Sequence, residues 1–436
     1  YSVRNLSMKA SSAFVGVNVA LVGVALCLTC VHARTIASGC MTDNDCQLNG
    51  VCQDSACVCD QGWAGSNCGK LDLDGPAQYA YHPDDATAWG GGPPVKDPTT
   101  GKWTLFVTEI ANHCGLSEWQ HMSTVVRASA SSPEGPYTRE AVVIPPQAHN
   151  PYYVQDPITK THLIFHIGGG DNPESPDNPF WHNCTNGTTP TVSDGDVTTP
   201  HNSDNRGVNQ LDRNQLDRNL TANNHRSTLP TQSSTTITYS EQPYVHSSSS
   251  LTGNFSRINF TTPAGAKVVG YGNDNPAPYI FANGTVLMLS RKYNGTRDAH
   301  GNYYKPHDTI WVVRAQSFTG PYELVGPAFP NETFNEEDPC LWRDHRGNFH
   351  ALFHFTRGHA WSADGLDWHW GGGVAAWEVA FSDGQSIKDT ERPRVWINPE
   401  SGYPELLFLA SGGSSQPTQR GKEQKGFLIV QKIKTA

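Results

Sequence analysis

The sequence predicts an all-β chain built as a five-bladed β-propeller behind a small disulfide-rich module. Three observations predict it. Charged residues make up only 17% of the 436, while Gly (41), Pro (30), Trp (12) and Tyr (15) are abundant, a turn-rich and aromatic profile. One strand–turn–strand unit recurs five times, and six of the eleven cysteines fall within residues 40–68. The net charge of −10 argues against nucleic acid or an anionic membrane as a partner.

From the N-terminal side, Met8-Lys9 precedes an apolar run from Ala13 to Cys30, and Val31-His32-Ala33 offers small residues for cleavage. Residues 1–33 are therefore expected to be a signal peptide. An uncleaved signal anchor is the alternative, because the run approaches the length of a span. Beyond residue 33, eight Asn-x-Ser/Thr sequons, at Asn183, Asn186, Asn219, Asn254, Asn259, Asn283, Asn294 and Asn331, suit a secreted glycoprotein.

Residues 38–69 hold Cys40, Cys46, Cys52, Cys57, Cys59 and Cys68. So short a stretch cannot bury a sufficient core and needs disulfides. Spacing alone leaves fifteen pairings open. The ending Cys57-Val-Cys59-Asp-Gln-Gly62-Trp63-Ala-Gly65-Ser-Asn-Cys68 resembles an EGF-like domain. That resemblance implies the pairs Cys40–Cys52, Cys46–Cys57 and Cys59–Cys68. Thr35-Ile-Ala-Ser-Gly39 replaces the acidic cluster of calcium-binding members, so no calcium is expected there. The module is read as a spacer or a contact for protein or matrix; a zinc site is the alternative.

Residues 75–436 carry the repeat. "GPPVKDPTTGKWTLFVTE" (92–109) and "PYYVQDPITKTHLIFHIGG" (151–169) share Val-x-Asp-Pro-x-Thr before an alternating strand. "PAPYIFANGTVLMLSRK" (276–292), "PCLWRDHRGNFHALFHF" (339–355) and "PRVWINPESGYPELLFLAS" (393–411) fit the same template. The steps between units are 59, 125, 63 and 54 residues. The long one contains a low-complexity stretch at about 172–236, which cannot bury enough apolar area to order itself. Outer halves recur as well: "VVRASASSPEGPYTRE" (125–140) and "WVVRAQSFTGPYELVG" (311–326). Four strands per unit of this length is the pattern of propeller blades, against a β-sandwich as the alternative. Asp97, Asp156 and Asp344 occupy the turns and read as structural.

Propeller geometry converts the repeat into a site map. Residues just before each unit converge on one axial mouth: Gly90-Gly91, His149-Asn150, Asp274-Asn275, Glu337-Asp338 and Glu391-Arg392. Residues leaving each second strand return to the same face, among them Glu109, Asn112, His113, His166, Arg291, His354, Arg357 and His359. Trp89 and Trp119 are candidates for flat surfaces at the rim. Carboxylates drawn together raise one another's pKa and nearby Arg lowers it, the split that glycoside hydrolysis needs. Glu336 reads as a solvated surface acid. Of Cys114, Cys184 and Cys340 at least one must lack an intramolecular partner, and Cys340 is expected buried and inert on an inner strand.

The Asp-Pro and Glu-Arg-Pro blade starts resemble those of the glycoside hydrolase superfamily containing families 43, 32 and 68. The resemblance implies that Asp338 steadies the transition state, Glu391 is the acid/base, and Asp274 is nucleophile or base; Glu337, by its own position at the blade start, is a substitute acid. Those families carry the trio on their first three blades; here it falls on the third to fifth, and the first start has no carboxylate. The substrate-binding set read from the blade entries and exits is Trp89, His113, His149, Asn150, His166, Arg291, His354, Arg357 and Arg392. No cofactor is required, no His-x-His spacing marks a metal, and a structural calcium in the channel is compatible with the pattern. The reading is a secreted, monomeric glycoside hydrolase or transglycosidase with a carbohydrate partner. The alternative is a non-catalytic carbohydrate-binding or adhesive glycoprotein.

Overall fold

The computed structural model describes residues 39–84, 86–168, 170, 184, 239–240, 243–258, 260, 267–268, 274–292, 309–332, 336–382, 387, 390–412 and 425–435. The expected leader and, apart from Cys184, the low-complexity stretch lie outside them. No helix among the described residues is long and apolar enough to cross a membrane.

Each repeat folds as its turn chemistry dictates. Asp97 accepts hydrogen bonds from Thr99 N and Thr100 Oγ1, both 2.8 Å, and Asp156 accepts from Thr159 N and Oγ1, both 2.6 Å. The Asp-Pro-x-Thr signature is thus a side-chain-closed turn between strands. The Gly-Pro-Tyr signature closes the outer hairpins. Tyr137 Oη donates to Pro133 O at 2.7 Å and Tyr322 Oη to Phe318 O at 3.0 Å.

Five sheets result, antiparallel throughout their four blade strands. Blade one runs outward through Thr87–Gly91, Trp103–Ile110, Ser123–Ala130 and Thr138–Ile144. Blade two uses His149–Gln155, His162–Ile167, Tyr244–Ser248 and Ser256–Arg257. Blade three uses Asp274–Ile280, Val286–Lys292, Thr309–Ala315 and Tyr322–Pro327, with two short strands added outside. Blade four uses Cys340–Arg343, Phe349–Leu352, His359–Ser362 and His369–Trp370. Blade five uses Thr390–Ile397, Pro404–Ser411 and Phe427–Ile433, and its outer strand is Leu73–Tyr81 from the start of the domain. Each innermost strand contacts the next, and the fifth contacts the first, so the ring is closed. A sandwich is excluded. The apolar clusters lie between adjacent blades, as alternating inward and outward side chains require.

The disulfide module is paired as the resemblance implies: Cys40–Cys52, Cys46–Cys57 and Cys59–Cys68. It is not a detached spacer. Trp63 stacks on Trp342 (6.4 Å between centroids) and lies 4.8 Å from the His359 ring, sharing one core with blades four and five. Arg346 donates to Gly50 O (3.2 Å) and Leu48 O and pairs with Asp60 at 2.5 Å. Trp361 Nε1 donates to Asn44 Oδ1 at 2.6 Å. His359 is therefore a docking residue, 2.9 Å from Gln47 Oε1. Cys114 bonds Cys184, leaving Cys340 the one free cysteine among the described residues, buried on an inner strand.

Candidate functional site at the propeller axis

The five blade starts share one backbone device. Asn150, Asn275, Asp338 and Arg392 all have left-handed φ, between 51° and 57°, and Gly90 has φ 88°. A bulge accompanies four of them, between Ala88 and Gly91, His149 and Tyr152, Asp274 and Ala277, and Glu391 and Arg394. Asn, Asp and Gly tolerate this region, whereas Arg392 is strained there by about 1–3 kcal/mol. The register of blade one is thereby corrected: Gly90, not Gly91, matches Asp338, and Trp89 matches Glu337 and Glu391.

The left-handed residues project toward the axis and bond one another. Asn150 Nδ2 donates to Asp338 Oδ1 at 2.8 Å and to Asn275 Oδ1 at 3.2 Å. Arg394, fully buried, donates to Asn150 Oδ1 at 2.8 Å and lies 4.7 Å over the Tyr152 ring. Arg392 Nε is 3.4 Å from Asp338 Oδ1, and its Nη1 donates to Trp89 O at 3.0 Å. A Cβ on Gly90 would meet Arg392 Cδ at 2.5 Å, so only glycine leaves the guanidinium its path.

Above this floor the preceding residues form the mouth, and His354 stands among them. Its Nδ1 is 3.1 Å from Glu337 Oε1 and 3.4 Å from Asp338 Oδ2, and its Nε2 is 3.6 Å from Glu391 Oε1. Arg291 pairs with Glu337, and Trp89 Nε1 donates to Glu391 Oε2 at 3.0 Å. Burial alone would lower the pKa of His354, but its contacts with Asp338 and Glu337 and the charge of Glu391 push it up to about 10. Burial opposes the charge of Asp338 too, yet Arg392, His354 and Arg394 hold its carboxyl well below the usual range. Glu391 is pushed up, chiefly by burial and then by Asp338 and Glu337, against the pull of His354 and Arg392. Carboxylates in opposite regimes thus face one imidazolium.

Several sequence expectations need correction. Trp89 is only 1% exposed, packed with Leu116 and Ala410, so its face cannot receive a sugar; it positions Glu391. Glu336 is 0% exposed, not solvated. It accepts from Phe355 N and Thr356 N, both 3.2 Å, and burial raises its pKa to about 7. His113 is exposed away from the axis. It lines a rim cleft of about 670 Å³ with Tyr81, Glu109 and Arg139. Glu109 is consumed there by Tyr81 and by Arg139 at 2.8 Å. His166 is buried against His246 at 2.8 Å, a packing role. His149 is buried beneath Trp119, with Nδ1 2.7 Å from Ser123 Oγ. Arg357 acts through its backbone, donating to His354 O at 3.1 Å. Asp274 begins the inner strand of blade three, but its side chain lies outside the described residues. Asn275, mapped to the mouth from the sequence, joins the cluster through Asn150, whereas Arg394 was missed although its neighbour Arg392 marked the position.

Glu337, Asp338 and His354 offer donor atoms within 4.8 Å of one another. They could supply only part of the shell of a channel calcium, which takes about six to eight ligands, waters included. Arg392 Nε also lies 3.4 Å from Asp338 Oδ1.

No family model matches the chain, and no curated protein matches it. Among solved structures it is similar to a family 117 glycoside hydrolase of the marine bacterium Zobellia galactanivorans, at 9% identity over 82% of this chain and 89% of that one, TM-score 0.43. It is also similar to a protein of unknown function from Dyadobacter fermentans (11%, 82% and 98%, TM-score 0.45). A third is the endo-arabinase of Bacteroides thetaiotaomicron (10%, 83% and 99%, TM-score 0.40). The assignment of five blades rests on the closed ring of sheets, independently of these likenesses.

Proposed function

We propose that the axial cluster is a glycoside hydrolase site in a secreted chain whose N-terminal module is EGF-like. The observation that carries the reading is the opposed ionisation of Asp338 and Glu391 around one imidazolium. Glu391, pushed up and held by Trp89, is the acid that protonates the leaving oxygen. Glu337, fixed by Arg291, is the base that activates water, and Asp338 stays ionised to steady the developing positive charge. Glu337 and Glu391 stand on opposite nitrogens of one ring, which suits the wide separation of about 6.5–9.5 Å that admits a water and inverts the anomeric centre. The four disulfides favour an oxidising compartment outside the cytosol. Asn254, Asn283 and Asn331 are exposed, as glycan acceptors would be.

A second reading has one observation in its favour. His354 stands between the carboxylates, 3.1 Å from Glu337 Oε1 and 3.6 Å from Glu391 Oε1, in the place where an attacking water would sit. If the ring stays, the pocket binds carbohydrate without cleaving it. The test is release of reducing sugar from arabino-, xylo-, galacto- and fructo-oligosaccharides by the wild type and by Glu391→Gln. Hydrolysis predicts turnover by the wild type and a loss of about 10²–10⁴-fold in the variant at unchanged thermal stability. Binding without turnover in both proteins selects the second reading.

A further inference from the structure

We propose that Phe355 is the platform on which a sugar ring stacks as it reaches the axial carboxylates; that the ligand is a sugar rests on the reading above. Of the two large aromatics that lie exposed among the described residues, Tyr79 sits on the outer strand of blade five, while Phe355, 48% exposed, adjoins the axis. The Phe355 ring stacks on the His354 imidazole at 4.6 Å and 26°, and the Arg291 guanidinium lies 5.9 Å from its centroid. The two cations that grip Glu337 therefore also flank this ring.

The ring is held rather than left to wander. Its backbone N–H donates to the buried Glu336 carboxyl at 3.2 Å, as does that of Thr356. His354 N donates to Glu337 O at 3.0 Å, and Gly358 N to Thr356 Oγ1 at 3.0 Å, closing the turn on both sides. Such preorganisation lowers the ordering cost of binding. An apolar face beside a ring of charged donors and acceptors has the two-sided chemistry of a sugar. The C–H face of the sugar meets the electron-rich face of the aromatic, and its hydroxyls meet Glu337, Arg291 and Glu391. Trp89 and Trp119 cannot serve: the first is buried, and the second covers His149.

The test is calorimetric binding of the same four oligosaccharide classes to Glu391→Gln protein, alone and combined with Phe355→Ala or Phe355→Trp. Phe355→Ala is expected to weaken every measurable Kd about tenfold or more, and Phe355→Trp to keep it. The thermal midpoint should not move, because the ring packs little against the core. Equal binding by Phe355→Ala, or no binding of any of the four classes, overturns the platform. Turnover is scored separately on the wild type. Weakened binding in Phe355→Ala without wild-type turnover keeps the platform and discards hydrolysis. Wild-type turnover with unchanged binding does the reverse.

Discussion

Replacing His354 with Gln removes the one protonated imidazole that separates Glu337, Asp338 and Glu391 while leaving a polar side chain of similar reach. His354 has a folded pKa of about 10 against 6.5 for the free side chain. A raised pKa contributes stability that is fully present below about 6.5 and is lost as pH rises through about 10. Across that window the slope is about −1.4 kcal/mol per pH unit, so the total is on the order of 5 kcal/mol. The side chain is 15% exposed, so solvent screens little of it. Urea unfolding followed by tryptophan fluorescence at pH 6, 8 and 10.5 reads the effect. Titrating groups that do not touch His354 act in both proteins and cancel in the difference, whereas Glu391 loses the cation that holds its pKa down. At pH 6 the variant should be less stable by about 3–5 kcal/mol, the cost of breaking a buried charge cluster. By pH 10.5 the two proteins should converge. A difference that does not change with pH would refute the picture of a cation held among three carboxylates.

Glu336 gives a second pH signature. Its pKa of about 7 against 4.5 means that wild-type stability falls as pH rises from about 4.5 through about 7, by on the order of 3 kcal/mol. Glu336→Gln should abolish that fall in urea midpoints taken at pH 5 and 8; an unchanged difference between the two midpoints would contradict it. Trp63 is 7% exposed between the module and blade four. Trp63→Ala should cost about 3–5 kcal/mol in one shared unfolding transition. A separate early transition of the module, with the propeller midpoint unmoved, would show that the two do not share a core.

The blades were legible because their turns are chemical. Asp97 and Asp156 close their own loops, and Gly-Pro-Tyr repeats the closure at Tyr137 and Tyr322. The ring of blade starts was legible for the same reason, since Asn150, Asn275 and Asp338 are residue types that accept a left-handed backbone. Blade one slipped by a residue because Gly90 and Gly91, in a run of three glycines, fit the slot equally in sequence, and only the bulge and the left-handed φ of Gly90 decide. Glu336 was misread because a run of three acids resembles a solvated turn, and its backbone partners at Phe355 and Thr356 are about twenty residues away. The docking of the module was not legible at all. Trp63 meets Trp342 and His359 across nearly three hundred residues, and no local pattern encodes that contact. Closure of blade five by Leu73–Tyr81 was hidden likewise, since only its pairing with Phe427–Ile433 reveals it.

The central claim is that opposed carboxylates around His354 cleave glycosidic bonds. The most direct measurement follows the anomeric protons by NMR while the wild type and Glu391→Gln act on the oligosaccharide that gives the fastest release. The account predicts a product of inverted configuration from the wild type and almost none from the variant. Oligosaccharide that binds and remains intact, or release at equal rates from both proteins, would contradict it.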